Sequence, residues 1–177
     1  MTPALAIDLG SRWVGWCIYE LRPGENPTAW PVEAGTWRIE NLKATKKREA
    51  DPIGERWNRL RDRIKSVVFE RGSPSTVLFA QTRRHEGQQA AVAYGGSLAI
   101  LEGLCATAGM SPVPVQVADV KRFALGRGAG KKEEVIAAIA RAFPHLGELD
   151  EHGADAVAIG GAGLTAAGWR IERTVLP

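Results

Sequence analysis

The sequence has few of the residues that build disulfide scaffolds or thiolate metal sites. Only two of its 177 residues are cysteine, Cys17 and Cys105, and they stand far apart without CxxC spacing. That argues against a disulfide framework and a structural zinc site, and it suits a reducing compartment. A basic-then-apolar leader is missing from the N-terminus. The most apolar later stretch, from Ala90 to Ala108, is broken by Tyr94, Gly95, Gly96 and Glu102. The expectation is a soluble, cytoplasmic protein with no membrane contact. Neither sign of charge is in large excess, since Lys+Arg 23 against Asp+Glu 20 leaves only +3. The sequence pI of about 9.1 and the clustering of basic residues suit a polyanionic partner, but charge alone reads equally well as a slightly basic surface. Repeats and low-complexity segments are absent.

What is present is 45% hydrophobic content over a length that suits a single domain, residues 1–177. Ala4 to Leu9 and Trp13 to Glu20 read as strands joined by a tight Gly-Ser turn, with a third strand near Val32 to Ile39, an antiparallel meander. "NLKATKKREADP" has no periodicity and reads as a loop. Ile53, Trp57, Leu60, Ile64 and Val67 recur at helical spacing, with Arg56, Arg59, Arg63 and Lys65 largely off that stripe. Such a basic face is either solvated or turned to nucleic acid. "GSPSTVLFA" reads as a turn and a buried strand, and Gln88 to Ala108 as a long helix weakened by Gly95 and Gly96, where close approach of another backbone is expected. "PVPVQV" is another strand, Asp119 caps a turn into "VKRFAL", and Lys131 to Phe143 is a helix with Val135, Ile136, Ile139 and Phe143 inward. A helix of small residues starts near Ala154. Strands followed by alternating helices and strands describe an α/β protein with a mixed sheet covered by helices.

The first strand carries one acidic residue, Asp8, among apolar neighbours. A carboxylate there must be neutralised, hydrogen-bonded or bound to a cation. Either it caps the Gly-Ser turn, or it is a metal ligand on a rigid strand with partners from elsewhere. His152 and Asp155 in "DEHGADAVAIG" stand three apart at a helix start and share a face, which makes them candidate partners. Asp150 and Glu151, ahead of that helix, read as exposed or capping residues.

Four segments, "AIDLGSRWVGW", "VLFAQTRRHEGQQAAVAYGG", "VKRFALGRGAGKKEEV" and "HGADAVAIG", resemble the RuvC-type Holliday junction resolvases in order and spacing, especially their phage and prophage branch. The resemblance runs from Leu5 to about Leu164. It implies an RNase H-like fold with a mixed five-stranded sheet flanked by helices, a homodimer, and metal-dependent hydrolysis of four-way or other branched DNA. Carried over residue by residue, it places Asp8 and Asp155 at two carboxylate positions, and His152 where members have His, Asp or Asn. The fourth position, a Glu at the end of the fourth strand, is Ala80 here. Three readings of Ala80 stand: a natural loss leaving a junction binder, substitution by Gln81 or Glu86, or deliberate replacement of a Glu. Gln81 should face the other side of the strand and Glu86 lies in a loop. The last reading is favoured because the other ligand positions are filled. The implied cofactor is a pair of Mg²⁺ or Mn²⁺ ions about 3.5–4 Å apart, bridged by Asp8, with His152 ligating an ion or orienting water.

The same resemblance assigns DNA contacts. Lys121 and Lys132 match basic family positions, and Gly126 and Gly128 match a glycine turn before a helix, with Arg127 and Lys131 in the same basic loop. Ala129-Gly130 replaces the family's usual Asn-Ala. Arg83, Arg84 and His85 follow the fourth strand, and Arg12 and Trp13 follow the first motif, so all are expected beside the DNA path. The long helix from Gln88, with Tyr94, is the candidate dimer interface, core packing being the alternative. Rival readings are the sugar kinase and actin group, whose phosphate loop also begins Asp-x-Gly-Ser but which needs two such domains, a non-catalytic junction binder, and an RNase H-like nuclease for flaps, forks or RNA.

Overall fold

Alternation along β1 (Thr2–Asp8) sends Ala4, Ala6 and Asp8 to one face of a sheet, and Leu5 and Ile7 to the other. The structure, a computed structural model, describes residues 2–40, 52–82 and 87–173. β2 (Trp13–Arg22) and β3 (Thr28–Arg38) continue from β1 as an antiparallel meander. Parallel strands β4 (Thr76–Gln81) and β5 (Val113–Gln116) extend the other side of β1. The sheet order is β5-β4-β1-β2-β3-β6. It therefore has six strands rather than the expected five: β6 (Arg170–Ile171) pairs with Thr28 and Ala29, and two residues are too few to leave a periodic signal. β3 also begins before Val32, because Pro31 breaks the apparent pattern while the pairing steps from Glu33 to Pro31 past Val32.

Helices cover both faces. α1 (Ile53–Arg71) and α2 (Gln88–Thr107) pack on the side of Leu5 and Ile7 through Leu60, Ile64, Leu101 and Cys105. α3 (Val117–Leu125), α4 (Lys132–Ala142) and α5 (Glu151–Ala166) pack on the Asp8 face. α3 starts directly from β5, ahead of the turn expected at Asp119, and α5 starts one turn ahead of Ala154. α5 is built from small residues because it lies directly on the strands: a side chain at Gly160 would collide with the Tyr19 ring at 2.2 Å, and one at Gly163 with Leu78 at 2.2 Å. Fully buried Tyr19 donates its hydroxyl proton to the Val157 carbonyl at 2.6 Å, so its polar end is satisfied inside the core.

α2 is different. Its buried residues are Ala93, Ser97, Leu101 and Cys105, a stripe one residue wide, so most of an apolar helix remains uncovered. By length and composition alone it is long and apolar enough to cross a membrane, despite its glycines. The neighbour that excludes a side chain at Gly96 is the Trp57 ring at 2.0 Å, not a backbone as expected, and Gly95 has open space beside it.

Candidate active site

β1 ends at Asp8 in the middle of the sheet, opposite Gly15 of β2. Gly15 decides what comes next to Asp8. A Cβ there would lie 1.9 Å from the His152 carbonyl oxygen, so only glycine lets the first turn of α5 rest on the strand. That turn is fixed from the other side by Asp150, whose Oδ1 accepts hydrogen bonds from the Gly153 amide at 2.9 Å and the Thr36 hydroxyl at 2.5 Å. Asp150 is thus the N-cap of α5, as its position suggested.

With helix and strand so held, His152 Nδ1 stands 3.2 Å from Asp8 Oδ2. The hydrogen bond to Asp8 raises the imidazole's affinity for its proton, against the effect of burial. Asp155, one turn on, is pushed up to about 6 by burial first and then by the Asp8 and Glu151 charges. Lys132, at the start of α4, pairs with Glu151 and also feels Asp155 and Asp8; these contacts raise it above its ordinary range. Two acids, an imidazole and one lysine therefore share a region at the C-terminal end of β1.

Ala80 belongs to the same face. It lies one residue beyond the Ile7 and Phe79 pair on the strand next to β1 and packs with the α5 side of the core. Its carbonyl accepts from the Tyr94 hydroxyl at 3.0 Å, and the Tyr94 hydroxyl oxygen in turn accepts from the Thr82 amide at 3.3 Å. Gln81 is turned to the opposite face, where its Oε1 accepts from Gln116 Nε2 at 2.5 Å, so it cannot stand in for an acid at position 80. Glu86, with Arg83, Arg84 and His85, lies outside the described residues.

The other basic candidates separate by partner. Lys121 donates to the Gly130 carbonyl at 2.9 Å and Arg127 pairs with Glu134 at 2.6 Å, so both brace the loop that ends at α4. Lys131 is exposed at the N-cap of α4, where its amide donates to Glu134 Oε2 at 2.7 Å. Arg12 is paired with Glu40 at 3.3 Å, and Trp13, 40% exposed, lies under the Arg38 guanidinium at 5.4 Å. Sequence reasoning missed Glu40, Thr36 and the spacing role of Gly15. For Gly15 a signal existed, since a glycine opposite a strand-end acid marks close approach of backbone.

No protein-family model and no curated protein matches the chain. Solved structures do. One of Thermus thermophilus RuvC superposes with TM-score 0.67 at 22% identity, covering 94% of this chain and 95% of that one. The chain has the RuvC fold. A structure of T. thermophilus RuvC in complex with a Holliday junction substrate gives 0.69 at 21%, covering 95% and 96%. The yeast mitochondrial Holliday junction resolvase gives 0.57 at 12%, covering 91% of this chain and 77% of that one. The RuvC fold is RNase H-like, which agrees with the fold expected from the motifs.

A divalent cation is the group this fold implies. Among the described residues no three His, Cys, Asp or Glu side chains converge closely enough to form a ready-made site. The donor chemistry nevertheless fits one ion: Asp155 is a half-buried carboxyl whose ionisation is opposed first by its partial burial and then by the Asp8 charge, an arrangement that a cation would relieve, and hard oxygens with one imidazole suit Mg²⁺ or Mn²⁺. Position 80, on the same face, is an alanine and offers no donor.

Proposed function

We propose that this chain is a RuvC-type, structure-selective endodeoxyribonuclease for four-way DNA junctions whose cleavage is impaired by Ala80. The observation that carries this reading is the Asp8 and His152 contact at 3.2 Å, with Asp155 one turn further along α5. Asp8, Asp155 and His152 would hold a divalent cation. When bound, such a cation lowers the pKa of water and neutralises charge on a phosphodiester. The chain's own residues do the rest. His152 can hold a proton between Nδ1 and Asp8, Lys132 exchanges its bond to Glu151 for a backbone phosphate, and Lys131 and the glycine turn present further donors to the same strand. Ala80 removes one oxygen ligand, so occupancy and turnover fall while DNA binding persists.

The test compares the chain with Ala80→Glu on a four-way junction, a flap, a fork and a linear duplex, with Mg²⁺, Mn²⁺ or EDTA. The chain itself should bind the junction and cut it poorly, and the variant should cut it with either ion, Mn²⁺ giving relatively strong support. A variant that binds but cuts no better than its parent sinks the nuclease reading. That outcome would favour the second one, a non-catalytic junction binder, for which Ala80 already speaks. Preference for flaps or forks would move the substrate class within the RNase H-like nucleases. The exposed apolar face of α2 suits a two-fold partner, so the working form is a homodimer, in keeping with a substrate cut on two strands.

A further inference from the structure

Glu40 is the only charged residue buried among the described residues, with 3% of its surface exposed. It ends the run after β3, and it sits between two arginines: Oε1 is 2.7 Å from Arg56 Nη2 and Oε2 is 3.3 Å from Arg12 Nε. The backbone repeats the connection. Both the Ile39 and the Glu40 amides donate to the Arg12 carbonyl, at 2.9 and 3.3 Å. Arg56 Nη1 reaches the Ser11 carbonyl at 3.5 Å, Arg38 Nε donates to the Glu40 carbonyl at 2.6 Å, and Arg59 Nε donates to that of Ile39 at 2.6 Å. Residues 11 and 12 form the turn that follows Asp8 and Leu9, so this network ties the turn to α1 and to the end of β3.

Four arginines face the buried Glu40 and, at Arg59, the exposed Glu55 at 3.5 Å, so the described members carry more positive than negative charge. Arg56 is the enclosed member, its side chain 16% exposed, whereas that of Arg12 is 61% exposed. Arg12 spends its Nε on Glu40, and a guanidinium carries four further N–H donors. We propose that Glu40 is a positioning residue: it holds Arg12 in the turn that follows Asp8 so that those remaining donors meet a phosphate of the nucleic-acid backbone. The inference rests on the DNA-binding reading above.

Its test depends on sign. Glu40→Gln raises the formal net charge from +3 to +4, which by long-range attraction alone strengthens binding to a polyanion. If Glu40 positions Arg12, affinity falls instead. The measurement is fluorescence anisotropy of a labelled four-way junction in EDTA across a salt series, with thermal melting in parallel. The expected result is roughly tenfold weaker binding, the size of one charge-assisted hydrogen bond, and a log–log salt slope smaller by about one. Affinity equal to or above that of the parent overturns the proposal. Should Glu40→Gln fail to fold, Arg12→Gln carries the test, because its side chain is mostly solvated. It should show the same losses, whereas Arg22→Gln, at the far end of β2, should lose much less; equal losses in those two overturn the proposal. A parent chain that binds no DNA would remove the DNA reading and this one together, while normal parental binding with indifference to Glu40 and Arg12 removes only this one.

Discussion

Asp155→Asn should make the protein more stable at neutral pH while removing a group the proposed chemistry needs. Asp155 titrates at about 6, against an ordinary 3.8, with burial as the first cause and the Asp8 charge next. A shift of that size corresponds to roughly 3 kcal/mol between the protonated and charged forms. The sign follows from proton counts: between pH 3.8 and about 6 the folded chain binds more protons than the unfolded one, so stability falls as pH rises. Above about 6 the full penalty applies, and at pH 5 roughly half of it has developed. The neutral amide escapes it. We expect Asp155→Asn to gain about 2–3 kcal/mol at pH 7.5, a melting shift of roughly 5–10 °C for a chain of this size, and to gain about 1 kcal/mol less at pH 5. His152, with its raised value, also contributes stability below its ordinary 6.5 that is lost as pH rises through the folded value, but it does so in both proteins and largely cancels in the difference. Urea denaturation at pH 5, 6 and 7.5 reads the result. A variant less stable than its parent at pH 7.5, or a gain that does not change with pH, would refute the buried-charge account.

Two further outcomes follow from the packing. Gly15→Ala places a Cβ 1.9 Å from the His152 carbonyl, a backbone contact that no rotamer relieves, so we expect a loss of about 3 kcal/mol or more in urea denaturation and a His152 imidazole that returns toward its ordinary titration by NMR. Unchanged stability would mean that α5 does not rest on β2. Val92→Arg, on the exposed face of α2, should convert a dimer to a monomer in sedimentation equilibrium without lowering the melting temperature. A parent chain that is already monomeric would dispose of the α2 interface.

Much of the framework was legible because periodicity is a local signal. β1, β2, α1 and α4 each carry a repeat long enough to read, and Asp8 stood out as the one charge in an apolar strand. Capping was one of two uses open to Asp150 and Glu151 from their place ahead of a helix, and only Asp150 turns out to cap, with Glu151 inside α5. Glu40 was not legible. A glutamate between a strand and a polar, basic stretch reads as surface, and only the long-range arrival of Arg12 and Arg56 makes it a buried carboxylate. Lys121 and Arg127 have contacts of the same kind. The family resemblance assigned them to phosphate, and in the protein they also hold a carbonyl and a glutamate of the same loop, contacts that no local pattern announces. β6 was invisible because two residues have no period.

Position 80 links the electrostatics of the site to the proposed chemistry. It is next to Asp8 across the β1 and β4 pair and faces the same side. An acid restored there would bring a third carboxylate toward a region where Asp155 is already held at about 6 by burial and the Asp8 charge, and like charge raises such a group further. Without a cation, then, Ala80→Glu should be less stable at pH 7.5 than its parent, by roughly 1–2 kcal/mol. Mn²⁺ should reverse that order, since only the folded state assembles the ligands and binding adds its free energy to folding. The melting gain on adding Mn²⁺ should therefore be largest for Ala80→Glu, smaller for the parent and smallest for Asp155→Asn. Equal gains in all three would place the ion elsewhere on the molecule, and the strand-end acids and the helix residues would then not act on one substrate together.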